Sequence, residues 1–143
     1  MNYQKVINSI ESNKTNRYQI KENDKEDYLL QSEIKLAKYL NKKYCLGVNS
    51  GASAIFLGLM SLIPNLRNRI VYSNSFTFSA VPSAIVHANL DIILVETTRN
   101  LVIDIEDFRD KIKKYKGSCL VLSYMRGFIP DLDKIVKLCQ END

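Results

Sequence analysis

The string V-N-S-G-A-S-A-I-F, residues 48–56, places four small residues, Ser50, Gly51, Ala52 and Ser53, between an apolar lead and a run with helical spacing. A helix opening there leaves three or four backbone N–H groups unpaired at its mouth, together with the positive end of its dipole. Small side chains let the oxygens of a phosphate reach those amides, and the hydroxyl of Ser50 or Ser53 adds a donor. Plain N-capping by Asn49 or Ser50 explains the same residues, and spacing alone leaves the two readings level. Neither G-x-G-x-x-G nor G-x-x-x-x-G-K-[ST] occurs, so dinucleotide and nucleoside-triphosphate loops have no motif behind them.

A second stretch, S-N-S-F-T-F-S-A-V-P-S-A-I, carries Phe76 and Phe78 at an expected strand-to-helix junction. Spacing favours core positions for both. An aromatic at a ligand-bearing edge can instead lie flat on a planar ring, worth about 0.5–1.5 kcal/mol beyond area burial. Arg126, in S-Y-M-R-G, suits a carboxylate or phosphate of a substrate, and equally a surface arginine closing a turn before Gly127. The single histidine, His87, has apolar neighbours on one side and reads as structural. No Ser/His/Asp triad and no clustered metal ligands stand out, and the acids of D-L-D and I-D-I-E-D are helix-start residues. Catalytic and metal-binding residues are therefore expected to be none.

These residues need elements to position them. D-Y-L-L-Q-S-E-I-K-L-A-K-Y-L-N, from 27 to 41, puts Leu30, Ile34, Ala37 and Leu40 on one helical stripe, with Glu33, Lys35 and Lys38 facing elsewhere. Y-C-L-G-V (44–48) has the look of a strand buried on both faces, and 51–63 that of a largely buried helix closed by Pro64. Residues 69–74 read as a strand, 76–88 as a helix or a helix broken at Pro82, and 90–96 as a strand. Asp104 is placed as an N-cap, with Ile103 set to staple against Phe108. Residues 118–124 read as a strand, and Pro130 and Asp131 open a helix carrying Leu132, Ile135, Val136 and Cys139 along one stripe.

Four strand–helix alternations imply an α/β fold: a mostly parallel sheet with helices on both faces. Ligands of such folds collect beyond the carboxyl ends of the strands, so the loops after residues 48, 74, 96 and 124 are expected along one edge. The alternation calls for another buried strand after the last helix, as though a longer domain continued.

Composition narrows the class. The 143 residues are 45% hydrophobic and 25% charged, close to globular averages, with one domain or a piece of one as the expectation. A net charge of +4, scattered and without interleaved aromatics, argues against nucleic acid as a partner. No run approaches the roughly eighteen apolar residues that span a bilayer, and the N-terminus lacks the apolar core of a signal peptide. Cys45, Cys119 and Cys139 form no C-x-x-C pair, which suits a reduced, cytoplasmic setting.

The order E-x-x-L-A-K-Y-L-N-K-K-Y, V-N-S-G-A-S-A-I, S-F-T-F-S-A-V-P-S-A-I, L-V-E, I-D-I-E-D-F, P-D-L-D-K-I, running from Glu33 to the end, resembles the N-terminal part of the DegT/DnrJ/StrS-type sugar aminotransferases. These are fold-type-I enzymes that depend on pyridoxal 5'-phosphate. The resemblance implies residues 1–26 as an N-terminal extension and 27–143 as part of a cofactor-binding large domain. It implies that Ser50, Gly51, Ala52 and Ser53 hold the cofactor phosphate and that Phe78 stacks on its ring, with Glu96 structural and Arg126 facing substrate. Ala52 stands where the family usually has threonine, which removes a hydroxyl but keeps the backbone donors. The S-x-M-R-G string marks a sub-branch, since many members read Val-His-Leu-Tyr-Gly there.

The family's pyridine-pairing aspartate and Schiff-base lysine fall beyond residue 143, so the chain is expected to be inactive alone. A nucleotide-linked keto-sugar, an amino-acid amine donor and a homodimer are the implied partners. A non-catalytic remnant or interaction module, and a Rossmann-like nucleotide-binding domain, are the rival readings.

Overall fold

The structure, a computed structural model, describes residues 28–142, so the expected N-terminal extension lies outside the described residues. The chain divides into two units, residues 1–50 and 51–143.

The first unit contains helix α1 (Tyr28–Tyr39) and the irregular segment after it. Leu30 and Ala37 are buried as the helical stripe requires, but Ile34 and Leu40 are exposed. Glu33, expected on the solvent side, is buried instead. Its Oε1 accepts the N–H of Gly47 at 2.6 Å, which gives the buried carboxylate a hydrogen-bond partner. The approach is close: a Cβ on Gly47 would lie 2.8 Å from Leu29 Cδ1 and 3.3 Å from Glu33 Oε1. Residues 44–48 therefore form no strand. An apolar run of five residues cannot distinguish a buried strand from a segment docked by a side chain, and here Glu33 takes the Gly47 N–H.

The second unit is an α/β sandwich. Helix α2 (Gly51–Leu62) ends in a 3-10 turn, Ile63–Asn65, that contains Pro64. Strand β1 (Ile70–Asn74), helix α3 (Ala80–His87), strand β2 (Asp91–Val95), helix α4 (Ile105–Tyr115), strand β3 (Cys119–Val121) and helix α5 (Leu132–Gln140) follow. The sheet order is β2-β1-β3 and both pairings are parallel, with Tyr72 opposite Ile93 on one side and Leu120 on the other. Central β1 is buried along Val71–Asn74, as a strand covered on both faces must be.

One face of the sheet carries Tyr72, which packs with Val95, Ile103, Phe108, Ile112, Ile135 and Leu138 under α4 and α5. Tyr72 and Phe108 meet edge to face, centroids 5.4 Å apart at 77°. The Tyr72 hydroxyl accepts the Gly117 N–H at 2.7 Å and donates to the Lys111 carbonyl at 3.3 Å, while burial pushes its pKa up. Gly117 has to be glycine for steric reasons, since a Cβ there would meet Tyr72 Cε2 at 2.5 Å. Val71 and Ser73 alternate with Tyr72 and are fully buried toward the opposite face, where α3 packs on β1 and β2 and α2 packs on α3.

The α4 start signals hold. Asp104 Oδ1 accepts from Glu106 N at 2.9 Å and Asp107 N at 3.2 Å, and both stapling residues, Ile103 and Phe108, are in the core. Asp131 caps α5 through Lys134 N at 3.2 Å. Three expectations need correction. Helix α2 is not largely buried: Leu59 and Met60 are its buried residues. In α5 the buried pair is Ile135 and Leu138, with Cys139 partly covered, and Leu132 and Val136 are exposed. Helix α3 begins at Ala80, not 76, so Pro82 sits unbroken in its first turn, where a missing N–H costs no helical hydrogen bond.

Candidate functional site

Parallel pairing brings the carboxyl ends of the three strands, Asn74, Val95 and Val121, to one edge of the sheet. Three loops leave that edge, and polar side chains sew them together. Asn74, only 1% exposed, donates through Nδ2 to the Phe76 carbonyl at 2.7 Å and to the Ser123 carbonyl at 3.4 Å. Its Oδ1 accepts the Ser123 N–H at 3.0 Å. Thr77 Oγ1 donates to Ser123 Oγ at 2.8 Å, and on the other flank Thr97 Oγ1 accepts the Phe76 N–H at 3.2 Å. Ser123 is thereby drawn to a side chain, which ends β3 at Val121, short of the expected 124.

Phe76 and Phe78 ride on this sewn loop. They are 42% and 69% exposed, so the core positions that spacing favours for them are not taken. The strand stops at Asn74 and α3 starts only at Ala80, leaving both rings on a loop with no opposing layer.

Helix α2, twelve residues long, opens at Gly51, and Gly51 and Ala52 are exposed while Ser53 is half-buried. A Cβ built on Gly51 meets nothing within 4 Å, so the space beside that residue is open. Ala52, Ser53 and Phe56 share a groove of about 470 Å³ with Ser79, Ala80, Ser83, Ala84 and His87. The mouth of α2 and the start of α3, which directly follows Phe78, therefore border the same space. Ser50 is exposed and ends the first unit. His87 is exposed rather than set among apolar neighbours, with Nδ1 3.1 Å from the Ser83 carbonyl.

Arg126 sits in a 3-10 turn, Met125–Gly127, beyond β3 and thus at the same edge. It is exposed, and its φ of 54° followed by 78° at Gly127 makes a left-handed pair that turns the chain sharply. The backbone N–H of Glu96 donates to Asp107 Oδ2 at 2.6 Å, fastening the end of β2 to α4.

Burial pushes the Cys119 thiol up, with Cys139 nearby adding to it, and both cysteines line a separate cavity of about 160 Å³ beside Tyr72. Among the described residues no group of three or more His, Cys, Asp or Glu could hold a metal ion. The edge thus gathers hydroxyls, an exposed ring and an exposed cation. Asn74, Thr97 and Ser123 carry no sequence signal of this role. A polar residue ending an apolar strand was the one available hint, and its partner lies 49 positions away.

Among the described residues no helix is long and apolar enough to cross a membrane. Residues 11–143 match the model of the DegT/DnrJ/EryC1/StrS aminotransferase family, so the parallel sheet with its helices is that of a chain belonging to this family.

Proposed function

We propose that this chain forms the pyridoxal-phosphate seat of an aminotransferase that moves an amino group from an amino acid to a nucleotide-linked keto-sugar, in polysaccharide or secondary-metabolite biosynthesis. The observation that carries the reading is the small-residue start of α2, whose Ala52 and Ser53 border the same groove as the helix that follows the exposed Phe78. The residues present fit the group: the small side chains of Gly51, Ala52 and Ser53 leave room for its phosphate at a helix start, and a ring 69% exposed can lie against a planar pyridine. When bound, the cofactor supplies an electron sink for the negative charge that develops beside the transferred nitrogen.

This chain's own residues bind and orient. The amides of Gly51, Ala52 and Ser53 fix the phosphate, with hydroxyl support from Ser50 or Ser53. Phe78 limits tilt of the ring and shields one of its faces from water. Arg126, at the same edge, offers a guanidinium to an anionic group of the substrate. Among the described residues no lysine lines the groove, so a carbonyl-capturing amine has to come from outside that lining, and the chain on its own is expected to bind without transferring. A homodimer, in the cytoplasm, is the proposed working form.

Gly51→Asp tests the reading cleanly. The new side chain enters open space and its charge favours the helix start, so the fold is kept while a phosphate is repelled. Pyridoxal phosphate is expected to raise the melting temperature of the wild-type chain and to leave that of Gly51→Asp unmoved. A shift that survives in the variant, or a wild-type shift with a nucleotide but none with pyridoxal phosphate, would overturn the proposal.

A further inference from the structure

We propose that Asn74 is a positioning residue that sets the Phe78 loop and the Arg126 loop in one geometry, so that the ring-stacking and the substrate-facing sides of the site are fixed by a single buried amide. The cofactor part of this inference rests on the reading of Phe78 given above. Asn74 lies at the end of the central strand and is 1% exposed. Its three hydrogen bonds satisfy both backbone groups of Ser123 and the carbonyl of Phe76. The orientation of the amide is unambiguous. Reversed, its oxygen would face two carbonyls and its NH₂ would face an N–H.

The side chain stands in for the next rung of the β1–β3 ladder, whose last paired residues are Ser73 and Val121. Phe78 is two residues beyond the Phe76 carbonyl so held, and Arg126 three beyond Ser123. Thr97 and Thr77 add the second point on each side: the Phe76 N–H goes to Thr97, and the Thr77 hydroxyl to Ser123. Neither loop has a regular element to stiffen it between the strand end and these contacts; the Ser75 N–H, bonded to the Val95 carbonyl at 2.7 Å, holds the first loop to β2, and the Asn74 amide sets the two loops against each other. Leucine at 74 keeps the volume and removes all three bonds, leaving buried backbone groups without partners.

Hydrogen exchange and ligand titration on the full chain, wild type and Asn74→Leu, test this. Amides at 75–79 and 122–127 are expected to lose protection in the variant, while those of β2 and α4 keep theirs. Affinity for pyridoxal phosphate is expected to fall about tenfold, the equivalent of one buried hydrogen bond. Affinity for inorganic phosphate, which engages only the α2 mouth, is expected to be unchanged. Unchanged protection in both loops, or equal loss of affinity for the two ligands, would overturn the inference. A wild-type chain that binds no pyridoxal phosphate would overturn the cofactor reading, and the exchange data would still decide whether Asn74 sets the loops. If Asn74→Leu does not fold, Thr77→Val removes one stitch at a half-buried position. It should loosen 75–79 and weaken pyridoxal phosphate but not inorganic phosphate, and failure to loosen that loop counts against the inference.

Discussion

Asp107 shows how one side chain ties helix to sheet. Burial pushes its carboxyl pKa up, but the Lys111 ammonium at 2.7 Å and the Glu96 N–H at 2.6 Å outweigh that and hold it below the usual carboxylate range. A carboxyl depressed in the folded state contributes stability that is present above its unfolded pKa of about 3.9 and is lost as pH falls through the lower folded value. Asp107→Asn is therefore expected to be less stable than wild type at neutral pH, with the gap closing as pH drops below about 4. Urea melts of both proteins across that range measure the gap, and a gap independent of pH would mean that the charge is not what matters. The two N-caps, Asp104 and Asp131, are residue-scale features legible in the sequence, because each satisfies amides two or three positions away. Glu33 and Asn74 are not legible in that way. Their partners lie 14 and up to 49 positions off, and a buried acid or amide has no local pattern.

At the scale of elements, α4 is the best specified part of the fold. It has an N-cap, a staple, Glu106 and Asp107 in its first turn, and Lys113 and Lys114 in its last. These local terms are smaller than the burial of its inner face. Asp104→Ala is expected to cost about 1 kcal/mol of unfolding free energy. Phe108→Ala, which empties a fully buried position against Tyr72, is expected to cost about 3–5 kcal/mol. Denaturant unfolding followed by circular dichroism ranks the two, and a cap that proved the costlier would show that tertiary packing is not what holds α4. The loops after β1 and β3 are tied to each other by side chains, which makes them the natural place for a site whose shape depends on a few hydrogen bonds.

At the scale of the whole molecule, apolar surface is the feature with consequences. Phe128 and Ile129 before α5, and Leu132 and Val136 on it, are 49%, 65%, 37% and 52% exposed and close together in sequence. Such a cluster favours association with another surface. Sedimentation velocity is expected to show an apparent mass that rises with concentration, and Val136→Lys is expected to shift it toward the monomer. A wild-type chain that stays monomeric throughout would remove this stripe as a contact surface.

The sequence by itself determined that this chain builds parallel α/β structure. Strands β1 and β2 and helices α4 and α5 were legible because alternation, caps and apolar runs act over a few residues. Family membership was legible for the same reason, since its motifs are short strings. Tertiary structure alone decided which faces those elements bury. It left half of α2 and one side of α5 exposed, docked 44–48 through Glu33 instead of a ladder, and brought Phe76 and Phe78 out of the core. Burial depends on which surfaces distant segments can cover, and a hydrogen bond such as Asn74 to Ser123 exists only once the chain between them has folded.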